Sequence, residues 1–443
     1  LSPSAQRFLS APILPTLLRL SAPGVLLVAF QSAVSIGDTY FIGRLGTVPL
    51  AGLALVFPLL MLLQMTSSGA MGGGVSSAIA RALGRGDAAT ARRLVVHALV
   101  IACVLGAIFT LLVLVFGRPI FTLLGGSEAA IAEALAYSRI VFAGAIAVWI
   151  ANTLSSILRG TGNMLVPALA LIAAATVHVP LSGSLVLGIG PLPKLGIAGA
   201  GAAYALTFGL AALSMGAIVF RPASVLRPRP GDWKLEWHLF REILRVGAVS
   251  MLSALQTVLT AVVLTGLVGR HGTAALAGYG VGLRLELLQV PLVFAVGQAL
   301  VVLVGTHVGA HQVARAKRIA WTGTALGACI TLAIGLSVAF FPQAWVGLFS
   351  ADAEVHAAGS LYLRMVAPFF PFLGAGITLY FASQGAGRVV LPILAGTARL
   401  AIVVVAGAAA ASLAEIFGVI AAAMMAFGVL TMWVVGRASW RPA

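Results

Sequence analysis

Asp38 is an acid inside an apolar stretch. It closes the first long hydrophobic segment, six residues before Arg44, the first residue expected in water. At about 1.5 Å per helical residue it lies roughly 9 Å below that surface. A carboxylate at such depth costs on the order of a few kcal/mol on insertion scales. Arg44 lies between Gly43 and Gly46, the two glycines expected to end the helix, so nothing nearby in the chain compensates the charge. Asp38 is therefore expected to face protein or a wet cavity, where it can take up a proton or attract a cation. Gln31 and Ser35 precede it by seven and three residues, on the same helical face. Such a polar stripe reads either as a cavity lining or as glue to neighbouring helices. Tyr40 is a further lining candidate.

Few other polar groups interrupt the apolar segments. His178 sits mid-segment with Ser182 one turn on. A buried histidine is either a satisfied core residue or a proton relay, since imidazole titrates near neutral pH. Gln64, Asn152, Tyr204 and Gln256 are lining candidates of similar kind. In the second half Glu286 and Gln289 share a face, and Arg284 does not. Glu286 can bind a cationic ligand or neutralise an arginine on another helix. Arg139 and Arg364 occupy matching repeat positions, which favours a structural role for both.

No enzyme is expected. Gly69 to Gly74 lacks the Gly-Lys-Ser/Thr of a phosphate loop and reads as close helix packing. His307 and His311 lack the His-Glu-x-x-His of a zinc protease and read as interfacial. No catalytic set, metal site or cofactor is visible. Cys103 and Cys329 lie inside apolar segments, without a disulfide framework.

The elements that carry these residues are membrane spans. The 443 residues are 60% hydrophobic and 9% charged, with mean hydropathy +1.09. A soluble domain carries about 25% charged residues. The apolar runs are continuous rather than alternating, which excludes a β-barrel. The formal charge of +16 reads as basic cytoplasmic loops, not as a nucleic-acid surface. No signal peptide is expected, the first span serving as its own insertion signal.

Twelve spans are expected, near 15–42, 49–80, 92–116, 130–156, 164–187, 196–220, 242–268, 275–306, 317–341, 357–382, 389–410 and 415–436. The longest loop, 221–241, is rich in proline and bases. It divides the chain into an N-lobe of residues 1–220 and a C-lobe of 242–443. The lobes repeat: Gly43-Arg44 matches Gly269-Arg270, Cys103 matches Cys329, and Gly160 with Pro167 matches Gly385 with Pro392. The offset stays at 225 or 226 residues, which places the counterpart of Asp38 at Val263 or Leu264. Six spans per unit make the repeats parallel. The expected fold is all-α and polytopic, with twelve transmembrane helices in two parallel six-helix repeats around a central cleft. Loop bases put both termini in the cytoplasm.

Several stretches resemble the multidrug and toxic compound extrusion (MATE) family. They are Gly37-Asp38-Thr-Tyr-Phe-Ile-Gly-Arg-Leu-Gly46, Arg159-Gly-Thr-Gly-Asn163, Tyr279-Gly-Val-Gly-Leu-Arg284-Leu-Glu286, Gly297-Gln298-Ala-Leu and Val308-Gly-Ala310. The likeness covers nearly the whole chain and looks closest to the bacterial DinF-like branch. It implies export of amphipathic, often cationic drugs in exchange for protons or sodium, by a monomer in the bacterial inner membrane. It makes Asp38 the coupling carboxylate and Pro23 the residue that lets the first helix bend. Members often carry Asn and Asp where this chain has His178 and Ser182. NorM-like members use acids in spans 7 and 10, where this chain offers Gln256 and no intramembrane acid. Losing hard oxygen ligands favours protons over sodium. The expected activity is proton-coupled antiport through Asp38, with His178 sharing the proton. The alternatives are a sodium-coupled antiporter and a lipid or lipid-linked precursor flippase of the same superfamily.

Overall fold

The computed structural model describes residues 8–440. The extreme ends of both expected lobes, and the termini expected in the cytoplasm, lie outside the described residues. Among these residues eleven helices are long and apolar enough to span a membrane, and a bent pair makes the twelfth. They are α1 (Ile13–Gly43), α2 (Thr47–Gly84), α3 (Ala88–Leu123), α4 (arms Glu128–Ala143 and Ala145–Gly160), α5 (Leu165–Leu187) and α6 (Ile197–Val219). After the linker come α7 (Trp237–Gly269), α8 (Thr273–Gly309), α9 (Val313–Phe340), α10 (Ala353–Ala386), α11 (Val390–Ala409) and α12 (Leu413–Arg437). No strand occurs among the described residues. This follows from the bilayer, where every backbone polar group must be satisfied within its own segment.

The chain forms two compact units, Ala22–Gly247 and Leu1–Ser21 with Ala248–Ala443. The repeat is visible inside each. In the first unit Gly52 of α2 lies so close to α4 that a Cβ would stand 2.7 Å from Glu133 Cβ. In the second, Gly278 of α8 lies so close to α10 that a Cβ would stand 2.6 Å from the Gly359 nitrogen. The glycines are related by an offset of 226, and the atoms they meet, Ala134 N with Gly359 N and Ala130 O with Val355 O, by 225.

Two local departures from regular helix matter. α4 bends by 49° between its arms, at Gly144. α2 carries a π-helical turn at Met65–Met71, a feature that lets one side chain leave the regular helical register. By contrast α1 runs as one helix through Pro23, whose missing N–H leaves the Arg19 carbonyl without its helical partner.

The linker is strapped to the first unit. Asp232 accepts from Arg92 Nε at 2.9 Å and from the Arg229 N–H at 2.9 Å. Arg93 pairs with Glu236, and the Glu236 N–H donates to His97 Nε2 at 2.9 Å. Glu242, early in α7, faces Arg81 at 3.5 Å and Arg85 at 3.8 Å. The Asp232 carboxyl is pushed up by its burial. The Arg229 N–H and the Arg92 guanidinium outweigh that and hold it below the usual carboxylate range.

Candidate functional site

The Asp38 carboxylate is turned toward α5. Both its oxygens lie 3.0 Å from His178 Nε2, and Ser182 Oγ donates to Oδ1 at 2.5 Å. All three residues are buried, Asp38 at 8%, His178 at 2% and Ser182 at 0% exposure. His178 and Ser182 are one turn apart on α5, so a single helix supplies both donors.

Glycine lets the supporting helices close in. A Cβ at Gly183 would stand 2.7 Å from Phe41 Cζ, so the Phe41 ring of α1 lies directly on α5. A Cβ at Gly199 would stand 2.6 Å from the Leu185 carbonyl carbon, which brings α6 equally close. On α6, Thr207 Oγ1 lies 3.4 Å from His178 Nδ1 and donates to the Ala203 carbonyl at 2.7 Å. Tyr204 packs edge-on against the imidazole at 6.3 Å.

A second, neutral chain adjoins this pair. Gln64 Nε2 donates to Tyr204 Oη at 2.6 Å, and Asn152 Nδ2 donates to Gln64 Oε1 at 3.0 Å. Asn152 also donates to Ser67 Oγ at 2.8 Å. Ser67 sits in the π-helical turn of α2, so the irregular turn aims its hydroxyl at α4.

The sequence-expected residues therefore sort into groups. Asp38, His178 and Ser182 form the buried centre. Gln64, Asn152 and Tyr204 form the adjoining chain and do not touch the acid. Gln31 and Ser35, expected to line a cavity or to glue helices together, share the acid's helix face and are both exposed, while the carboxylate bonds to α5. Tyr40 is 58% exposed and accepts from Arg44 at 3.4 Å.

The remaining candidates lie in the second unit. Glu286 pairs with Arg399 of α11 at 3.7 Å and accepts from Tyr362 Oη at 3.3 Å. Glu286 thus has an arginine on another helix as its ion-pair partner. Arg284 is exposed and lies over the Phe349 ring at 5.0 Å. Gln289 is 1% exposed, and both polar ends of its side chain lack protein partners. Gln256 ties α7 to Thr397 of α11 at 2.7 Å. His307, read as interfacial, is fully buried, with Nδ1 on the Leu303 carbonyl at 2.7 Å.

Sequence reasoning passed over Thr207, Ser67 and Arg399. A hydroxyl one turn from Tyr204 was a weak signal. A mid-span arginine was a strong one.

The apolar mirror of the site is informative. The repeat relates Asp38 to Leu264 and His178 to Val403, and both are buried in one hydrophobic cluster of the second unit. Both positions are buried in each unit, but only the first unit puts titratable groups there.

Comparison with known proteins agrees with this architecture. The MatE family model matches residues 23–183 and 249–409, a separation of 226 at both ends. A protein of Shewanella oneidensis named FAD transporter is 28% identical over 378 residues, covering 85% of this chain and 82% of its own. A probable multidrug resistance protein NorM of Bradyrhizobium diazoefficiens is 30% identical over 355 residues, covering 77% and 73%. A crystal structure of a MATE protein in the bent conformation superposes with TM-score 0.90, at 22% identity and 98% and 97% coverage.

Proposed function

The chain belongs to the MatE family of membrane transporters, and from that premise we propose that it exports amphipathic, cationic drugs in exchange for protons taken up at Asp38. The observation that carries this reading is the buried Asp38–His178 contact at 3.0 Å. Both partners can gain or lose a proton, and among the described residues no lysine or arginine forms an ion pair with Asp38. A nitrogen faces both carboxylate oxygens, the place where sodium would need hard oxygen ligands. The NorM name of several relatives supports drugs as the substrate class.

In this reading the deprotonated centre attracts a cationic drug and the protonated centre releases it. The protein works as a monomer in the bacterial inner membrane, with the linker and both termini in the cytoplasm. Exchange of one proton for one monovalent cation moves no net charge. The pH gradient alone then drives it, at about tenfold accumulation per pH unit.

The test uses proteoliposomes loaded with a fluorescent cationic drug. A pH gradient drives transport, a sodium gradient does not, and Asp38→Asn folds and inserts but does not transport. Full transport by Asp38→Asn sinks the reading.

A second reading takes an anionic flavin dinucleotide as substrate, the compound named for the Shewanella relative. It is favoured by Arg159 at the end of α4. This guanidinium is 9% exposed, donates to Ser156 Oγ at 2.8 Å, and has no carboxylate within ion-pair distance among the described residues. Uptake of the dinucleotide in the same vesicles, in place of the cation, separates the two.

A further inference from the structure

The geometry points to Thr207 as the positioning residue that decides which protonation state the Asp38–His178 pair keeps, an inference that rests on the coupling reading above. Thr207 has one hydroxyl proton. That proton is committed to its own helix, to the Ala203 carbonyl at 2.7 Å and the Tyr204 carbonyl at 3.2 Å. The oxygen therefore presents only lone pairs to His178 Nδ1, 3.4 Å away. An attractive contact there requires a proton on Nδ1, because a bare Nδ1 would set lone pair against lone pair.

The other end of the ring makes a complementary demand. Nε2 faces both Asp38 oxygens at 3.0 Å, so one proton must lie between ring and carboxylate. Ser182 Oγ donates to Oδ1 and adds a donor on that side. Satisfying both ends takes one proton more than a neutral imidazole beside an ionised carboxylate supplies. The arrangement is that of the proton-loaded pair, whether written as imidazolium with carboxylate or as the Nδ1–H tautomer with carboxylic acid.

Discharge then has a mechanical consequence. When the extra proton leaves, one ring nitrogen loses its hydrogen bond. The mismatch is relieved only if Thr207 turns its hydroxyl from Ala203 toward Nδ1, or if the ring and the acid part. Thr207 thus ties the proton count to the contact between α1, α5 and α6. Among the described residues, the phenols of Tyr204 on α6 and Tyr137 on α4 also lie within electrostatic reach of Asp38. His178 is the ion-pair partner of Asp38 among the described residues.

The test is nitrogen NMR on histidine-labelled protein in lipid nanodiscs, with His178→Gln used to assign the signal. In the wild type and in Thr207→Ser, His178 Nδ1 carries a proton at pH 7.5. In Thr207→Val it is bare. The pH midpoint of drug export in Thr207→Val moves about one unit to the acid side, a tenfold loss of proton affinity. Thr207→Ser keeps the wild-type midpoint. A bare Nδ1 in the wild type overturns the inference without recourse to any variant. So does a Thr207→Val protein whose Nδ1 and midpoint are unchanged. If Asp38→Asn exports normally, the coupling reading falls, and the Nδ1 signal still decides the role of Thr207. If Asp38→Asn is inactive while Thr207→Val matches the wild type, this inference alone falls.

Discussion

Replacing Asp38 and His178 by the residues of the second unit is the most informative perturbation. At 3.0 Å and an effective dielectric of about 20, the pair attracts by ~5–6 kcal/mol. Burial takes back several kcal/mol per ionised group, so the net contribution of the pair to stability is small. Removing one partner is different. His178→Val leaves a buried carboxylate with only Ser182 as donor, and about 3–5 kcal/mol of stability is lost. Asp38→Leu strands the imidazole and costs a similar or smaller amount. The double variant puts at both positions the apolar residues that the second unit buries in one cluster. It is expected to be at least as stable as either single variant. Reversible unfolding in mixed micelles measures the cycle, and the coupling is expected at about 3 kcal/mol or more. All three variants lose proton-driven export. Additivity within about 0.5 kcal/mol would refute the reasoning, because independent sites add to that precision.

Further outcomes follow from the rest of the molecule. Arg399→Met leaves the half-buried Glu286 with Tyr362 as its only hydrogen-bond donor among the described residues, and lowers stability by roughly 3 kcal/mol; Glu286→Gln with Arg399→Met recovers most of it in the same unfolding assay. The folded Asp232 carboxyl titrates below its unfolded value, so its stabilisation is complete above about pH 4 and is lost as pH falls through the lower folded value. Limited proteolysis of residues 221–241 is therefore expected to be equally slow at pH 7 and pH 5, and fast only below about pH 4. Gly74→Ala drives a Cβ to 2.8 Å from the Gly247 nitrogen and the Ile243 carbonyl oxygen. Both are backbone atoms that cannot swing aside, and thermal unfolding is expected to show a loss of about 1–3 kcal/mol.

Helix periodicity identified the face of α1 that carries Asp38, but not which neighbour that face would meet. Gln31 and Ser35 share the face and stay exposed, while Asp38 meets α5. The pairing of His178 with Ser182 was legible, since a four-residue spacing sets two side chains on one face of any helix. Thr207 was not. A threonine bonded to its own helical carbonyl is ordinary in an apolar span, and its lone pairs gain meaning only from the imidazole opposite. The spans themselves were legible because hydrophobic length is a direct physical requirement of the bilayer. The π-helical turn at Met65–Met71 was not, since no local residue pattern demands it. Glu286 was readable as a charge needing a partner, but its partner lies 113 positions away on α11.

The division of the chain into units also bears on the order in which it is made. Ala22–Gly247 is one unbroken stretch that contains its own linker straps, so every residue of that unit is synthesised before α8 begins. The other unit draws on both sides of that stretch, taking in residues up to Ser21 as well as Ala248 onward. The start of α1 must therefore wait through the synthesis of more than two hundred residues for the rest of its unit, a long loop to close. Biogenesis is thus asymmetric where the fold is a repeat. The half that carries the titratable pair is contiguous in the chain, and the half with leucine and valine at those positions can be completed only after it has been made.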